Sequence, residues 1–202
     1  MIYKDFIQDF PIRCGIILKK YRNQMRLNGL EVTHMFAIAS AAISIPFERL
    51  RKPTDGVEHP SLDRKRYQKA VGKFANLCAK EFLGSTLWKK DGKSWKFGHV
   101  GEEDIKSGPA NWESNSGHLR NDIKVEEILE HIRNGLAHGS IFTTPDSSDQ
   151  IENILFLSKD KDAGCFSGDY KLLIVSTRDF YRFLVKWIDF LKHELKMLSA
   201  VD

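Results

Sequence analysis

Three cysteines in 202 residues, Cys14, Cys78 and Cys165, are odd in number, far apart and in no CxxC pair. That pattern excludes a disulfide scaffold and a zinc ribbon, and it points to buried thiols in a reducing compartment. Long apolar runs are missing too. The most apolar stretch, Met35 to Phe47, is too short to span a bilayer and contains Pro46. The start, Met1-Ile2-Tyr3-Lys4-Asp5, has neither the apolar core nor the cleavage site of a secretory signal. A cytoplasmic protein without a membrane partner is expected.

Catalytic hardware of several kinds is also absent. No His, Cys, Asp and Glu cluster has metal-ligand spacing. His131 and His138 stand seven residues apart without a carboxylate or thiol at a standard spacing. There is no phosphate loop, dinucleotide fingerprint or nucleophile elbow. The sequence therefore predicts no metal and no cofactor. It has no repeats and no low-complexity tract.

What the chain does have is core and charge. At 42% hydrophobic and 29% charged, its length fits one globular domain over residues 1–202. The formal net charge is only +4, and its placement is uneven. Between Ser61 and Phe97 ten bases stand against three acids, an excess of +7. Arg64, Lys65, Arg66, Lys69, Lys89, Lys90 and Lys93 belong to this segment, with Trp95 beside them. Bases interleaved with aromatics suit single-stranded RNA, whose bases stack on rings. A solvated helix face followed by a loop tacked down by its aromatics would read the same way, and both readings stand at this point.

The periodicity predicts helices over 3–27, 30–51, 63–83, 121–138 and 177–198. Asn28-Gly29 stops the first, and Pro11 kinks or breaks it near its start. The second is apolar nearly all round at its centre, residues 36–43. Residues 84–120 show no stable period and are expected to form a long loop insertion. Residues 143–150 read as a polar loop. Residues 152–158 and 170–176 read as strands of one hairpin, with alternation imperfect enough for cover on both faces. The expected fold is mainly α, a helical bundle with a small β-hairpin before the last helix. The helix at 121–138 should pack antiparallel to that last helix.

The 121–138 helix carries the chemistry. Val125, Ile128, Leu129, Ile132 and Leu136 form its apolar stripe. On a wheel of about 100° per residue, Glu127, His131, Asn134 and His138 fall on the opposite side, with Arg133 on a flank. His138 ends the helix at Gly139-Ser140, and Asn134 one turn earlier can orient the imidazole. Gly135 costs about 1 kcal/mol inside a helix and lets a partner backbone come close. Helix-dipole compensation by His138 and pairing of Arg133 with Glu126 or Glu130 are the plain alternatives.

Arg133-Asn134-Gly135-Leu136-Ala137-His138 resembles the signature of the HEPN superfamily (higher eukaryotes and prokaryotes nucleotide-binding). That signature is an Arg, a polar residue and a His a few positions on, near the end of a helix in a helical bundle. The resemblance covers the motif well and the helical order loosely. It implies a metal-independent endoribonuclease of the kind found among toxin–antitoxin and phage-defence proteins. Arg133 would bind the scissile phosphate, His138 would move protons, and Asn134 would position the RNA or the ring. Glu127, His131, Gly135 and Ser140 would support them. RNA is then the substrate, and an antitoxin protein is a further partner. One His per site leaves the acid or the base role unfilled, so a homodimer with the motif at its interface is expected. The resemblance also allows a non-catalytic domain that binds nucleotide, RNA or a partner. Family members silenced by a paired nucleotidyltransferase carry a Tyr two residues after the His. Ser140 stands there in this chain, which puts that control mechanism in doubt.

Overall fold

The computed structural model of the protein describes residues 6–51, 64–88, 94–112, 116–159 and 170–193. The fold is mainly α, with seven α-helices and a five-stranded antiparallel sheet among these residues. The chain falls into two compact units, one of Met1–Lys80 with Leu184–Asp202, the other of Glu81–Phe183.

The first unit holds α1 (Phe6–Leu27), α2 (Glu31–Arg51) and α3 (Arg64–Cys78). The second half of α7 (Thr177–His193) completes it. Pro11 lies within α1 and does not end it. The helix stops at Asn28-Gly29, where Gly29 adopts φ 68° and the Leu30 N–H reaches back to Met25 O at 2.7 Å. That left-handed step is cheap only for glycine. The turn sends the chain back antiparallel along α1, and Arg22 pairs with Glu31 at 3.1 Å across it.

α2 is less enveloped than its composition predicts. Val32, Met35, Ile38, Ala39, Ala42, Ile43, Pro46, Phe47 and Leu50 are buried, while Ala37 and Ser40 are exposed. Its small residues serve close approach: Trp187 of α7 donates its indole N–H to Ala42 O at 2.7 Å. Gly15 of α1 serves the same purpose, since a Cβ there would meet Ile188 Cγ2 at 2.8 Å. α3 buries Ala70, Phe74, Leu77 and Cys78 and ends at Cys78, short of the expected Leu83. Residue 63, where that helix was expected to start, lies outside the described residues, as do residues 194–198 of the expected last helix.

The second unit differs most from expectation. Residues 84–120 are not a structureless loop. They contain β1 (Lys96–Val100), the short helices α4 (Glu102–Ile105) and α5 (Pro109–Trp112), and β2 (Ser116–His118). Their brevity hides them from any periodicity count, and β1 gains its strand character from pairing with β5, more than seventy residues away. The polar loop expected at 143–150 begins as β3 (Ile141–Pro145). The two expected strands are β4 (Ile151–Lys159) and β5 (Tyr170–Ser176), paired antiparallel. They form the middle of a sheet ordered β2-β1-β5-β4-β3, not an isolated hairpin.

Both faces of that sheet are covered, which explains the imperfect alternation. On one face Leu155, Leu157, Leu172, Ile174 and Val100 pack with Trp112, whose ring meets Phe142 edge-on at 4.9 Å. The Trp112 indole donates to Asp104 O at 2.9 Å. On the other face the register sets Ile141, Phe156, Leu173 and Phe97 side by side. This second face is the seat of α6 (Val125–His138), whose principal neighbour is β4. α6 packs chiefly on the sheet, against β4 and β5. No helix among the described residues is long and apolar enough to cross a membrane.

Candidate functional site on helix α6

α6 starts at Val125, not Asn121. Its N-cap is Lys124, whose N–H donates to Glu127 Oε1 at 3.1 Å. Glu127 therefore closes the first turn, as half of a capping box. Val125, Ile128, Leu129 and Ile132 are fully buried and anchor the helix on the sheet. Each such side chain contributes about 1.5–3 kcal/mol. Leu136, counted in the stripe from sequence, is only half-buried.

His131 is a clear correction. It was expected on the solvent side with Asn134 and His138, yet it is buried, 7% exposed. Its Nδ1 lies 2.6 Å from Ser158 Oγ of β4, and its ring stands edge-on to Phe97 of β1 at 5.3 Å. The buried face is wider than the apolar stripe read from the sequence, and a histidine with a hydroxyl partner can occupy its margin. Ser158 carries no sequence signal for this role, because register alone brings it under the helix.

Gly135 is buried against a side chain, not a backbone. A Cβ at this position would stand 2.8 Å from Phe156 Cδ1 and 3.3 Å from Phe156 Cβ. A glycine on the buried side of a helix is the sequence sign of such an approach. The absent side chain lets the last turn of α6 settle on β4. The helix then closes on Gly139, at φ 68°, with the Ser140 N–H bonded to Gly135 O at 3.0 Å. Ser140 O accepts from Leu157 N at 3.0 Å, so Ser140 joins α6 to the sheet through its backbone.

The motif residues stand on this seated turn. Arg133 is half-buried and its Nη1 donates to Asn134 Oδ1 at 2.7 Å. Asn134 thus holds the guanidinium by its carbonyl oxygen, where the sequence had offered it to the His138 ring. His138 is exposed, next to the left-handed Gly139. On the helix wheel Arg133 and His138 are about 140° apart, on opposite flanks of the buried arc. Asn134 and His138 remain off the buried face.

The basic residues divide differently. Arg64, Lys65, Arg66 and Lys69 lie on α3 of the first unit, with Lys65 and Lys69 exposed. Lys89, Lys90 and Lys93 lie outside the described residues. Trp95 is not available to stack on a base. It is 4% exposed and packs between Phe82, at 4.9 Å, and Phe183, at 5.5 Å. The first unit has eighteen Lys and Arg against ten Asp and Glu, a formal +8. The second has thirteen against seventeen, a formal −4, and it is this acidic unit that carries the motif. Among the described residues no three His, Cys, Asp or Glu groups come together as a metal site.

No curated protein and no solved structure matches the chain. A family model described as HEPN pEK499 p136 matches residues 1–196. With nearly its whole length matched, the chain belongs to the HEPN pEK499 p136 family.

Proposed function

We propose that this protein is a metal-independent endoribonuclease of HEPN type that cuts single-stranded RNA. Membership of a HEPN family supports a nuclease or nucleotide-binding role. The nuclease reading rests on the last turn of α6, where Arg133 is held by Asn134 at 2.7 Å and an exposed His138 ends the helix. A guanidinium fixed in orientation offers a planar fork to phosphate oxygens. An exposed imidazole moves protons near neutral pH.

In the reaction one His138 takes the proton of the 2′-hydroxyl, and O2′ attacks the adjacent phosphorus. Arg133 steadies the charge on the non-bridging oxygens. The P–O5′ bond breaks and O5′ leaves with a proton from a second imidazole. The products are a 2′,3′-cyclic phosphate and a 5′-hydroxyl. Two proton transfers against one His138 per chain call for a homodimer with the motif at its interface. Lys65 and Lys69 add phosphate affinity that falls with salt. The setting is toxin–antitoxin or phage defence, with an antitoxin protein as regulator.

The test is purified protein, a single-stranded RNA and its all-DNA counterpart, in excess chelator. Cleavage of RNA alone, to cyclic-phosphate ends, is expected, because DNA lacks the nucleophile. RNA bound without cleavage would replace this reading with a non-catalytic RNA-binding domain.

A further inference from the structure

α1 has two apolar faces, and among the described residues only one is buried. Inward, Pro11, Cys14, Gly15 and Leu18 are buried against the rest of the first unit. Outward, Ile16, Ile17, Tyr21 and Leu27 are 59%, 42%, 38% and 87% exposed. With Lys20 and Gln24 they fall within about 140° of the helix wheel, so they form one continuous strip over three turns. Leu30, 47% exposed, extends it past the turn. Single exposed aliphatics need no explanation, but an aligned strip of this length marks a docking surface.

The charges around the strip say what fits it. Lys20 lies over the Tyr21 ring, 5.4 Å from its centre, and Arg26 is exposed beside it, while Lys19 faces Asp189 of α7 at 3.9 Å. The only acid in α1 is Asp9, two turns before the strip begins. A second α1 would bring like charges together. The chain's own acidic helix, α6, cannot fill the place either, because its apolar residues Val125, Ile128, Leu129 and Ile132 are already buried. Acidic α4 is four residues long and buries nothing.

We propose that the outward face of α1 docks an amphipathic helix of a different protein, apolar along its centre and acidic along its rim. Ile17 and Tyr21 fill the middle of the contact, and Lys20 and Arg26 pair with the rim. This inference stands whether or not the chain cuts RNA, since it uses none of the motif residues.

The experiment uses the full chain and three fluorescent helical peptides of one length. One has leucines at i, i+3, i+4 and i+7 with a glutamate rim. The second has the same leucines with a lysine rim. The third has the composition of the first in scrambled order. The glutamate-rimmed helix is expected to bind at least about tenfold more tightly than either other peptide, with amide protection rising in α1. The double variant Ile17→Ser/Tyr21→Ser should lose that preference while its melting curve stays unchanged. The charge-reversed Lys20→Glu/Arg26→Glu protein should prefer the lysine-rimmed peptide. Equal binding of the scrambled peptide would overturn the proposal in favour of plain polyanion attraction. A dimer of the protein alone that Ile17→Ser dissociates would overturn it in favour of a second copy.

Discussion

Replacing Gly135 by alanine sets two effects of opposite sign against each other, and the structure decides which wins. In an exposed helix position the change gains about 1 kcal/mol, because glycine has the larger backbone entropy to lose. Here the new Cβ would stand 2.8 Å from Phe156 Cδ1. Phe156 has little room to retreat, being fully buried with Phe180 at 5.4 Å. Overpacking of this kind costs about 1–3 kcal/mol. The expected net change is a loss of about 1 kcal/mol, read as a lower denaturant midpoint at constant slope. The double variant Gly135→Ala/Phe156→Leu relieves the clash, so its cost should fall short of the summed single costs by about 1 kcal/mol. RNA cleavage should fall in the single variant more than stability requires, since α6 must lift at the turn that carries Arg133 and His138. A Gly135→Ala protein stabilised by the full helix-propensity gain would refute the close seat of α6 on β4.

Further expectations follow from the same packing. Ser158→Ala strips the hydroxyl from buried His131 and should lower stability by about 1–3 kcal/mol, measured by chemical denaturation. Trp95→Ala should cost about 3–5 kcal/mol as a core cavity, whereas Trp95→Phe should leave RNA affinity unchanged in a filter-binding assay. Asp146 holds the β3–β4 turn by accepting from Ser148 Oγ and from the Ser148 and Gln150 N–H groups, at 2.7, 2.7 and 3.0 Å. These bonds, the Ser148 hydroxyl first, pull its carboxyl below the usual carboxylate range. A depressed folded-state value gives stability that is complete above the unfolded value and lost as pH falls through the folded one. Asp146→Asn should therefore flatten the acid limb of the stability profile, and NMR titration of the wild-type carboxyl should place it below free aspartate.

The helices were legible because their signals are local. α1, α2 and α7 follow from apolar periodicity, and Asn28-Gly29 and Gly139 from the need for a left-handed step. The motif at 133–138 was legible for the same reason: six consecutive residues at a helix end. The sheet was only half legible. β4 and β5 are long and rich in aliphatics, while β1, β2 and β3 are short and owe their form to distant partners. That failure carried over to the site. Without β4 beneath α6 there was no reason to turn His131 inward or to place Phe156 under Gly135, whereas the burial of Trp95 between Phe82 and Phe183 follows the reading in which the aromatics of its segment are tacked to the core. The division of charge into a basic and an acidic unit is written in the composition, but only the fold shows where to cut.

The most direct measurement is the single-turnover cleavage rate of one single-stranded RNA by wild type, Arg133→Ala and His138→Ala, in chelator and at matched protein folding. The account predicts a loss of about 10²–10⁴-fold for His138→Ala and about 10²–10³-fold for Arg133→Ala. Cutting by either variant at the wild-type rate would contradict it.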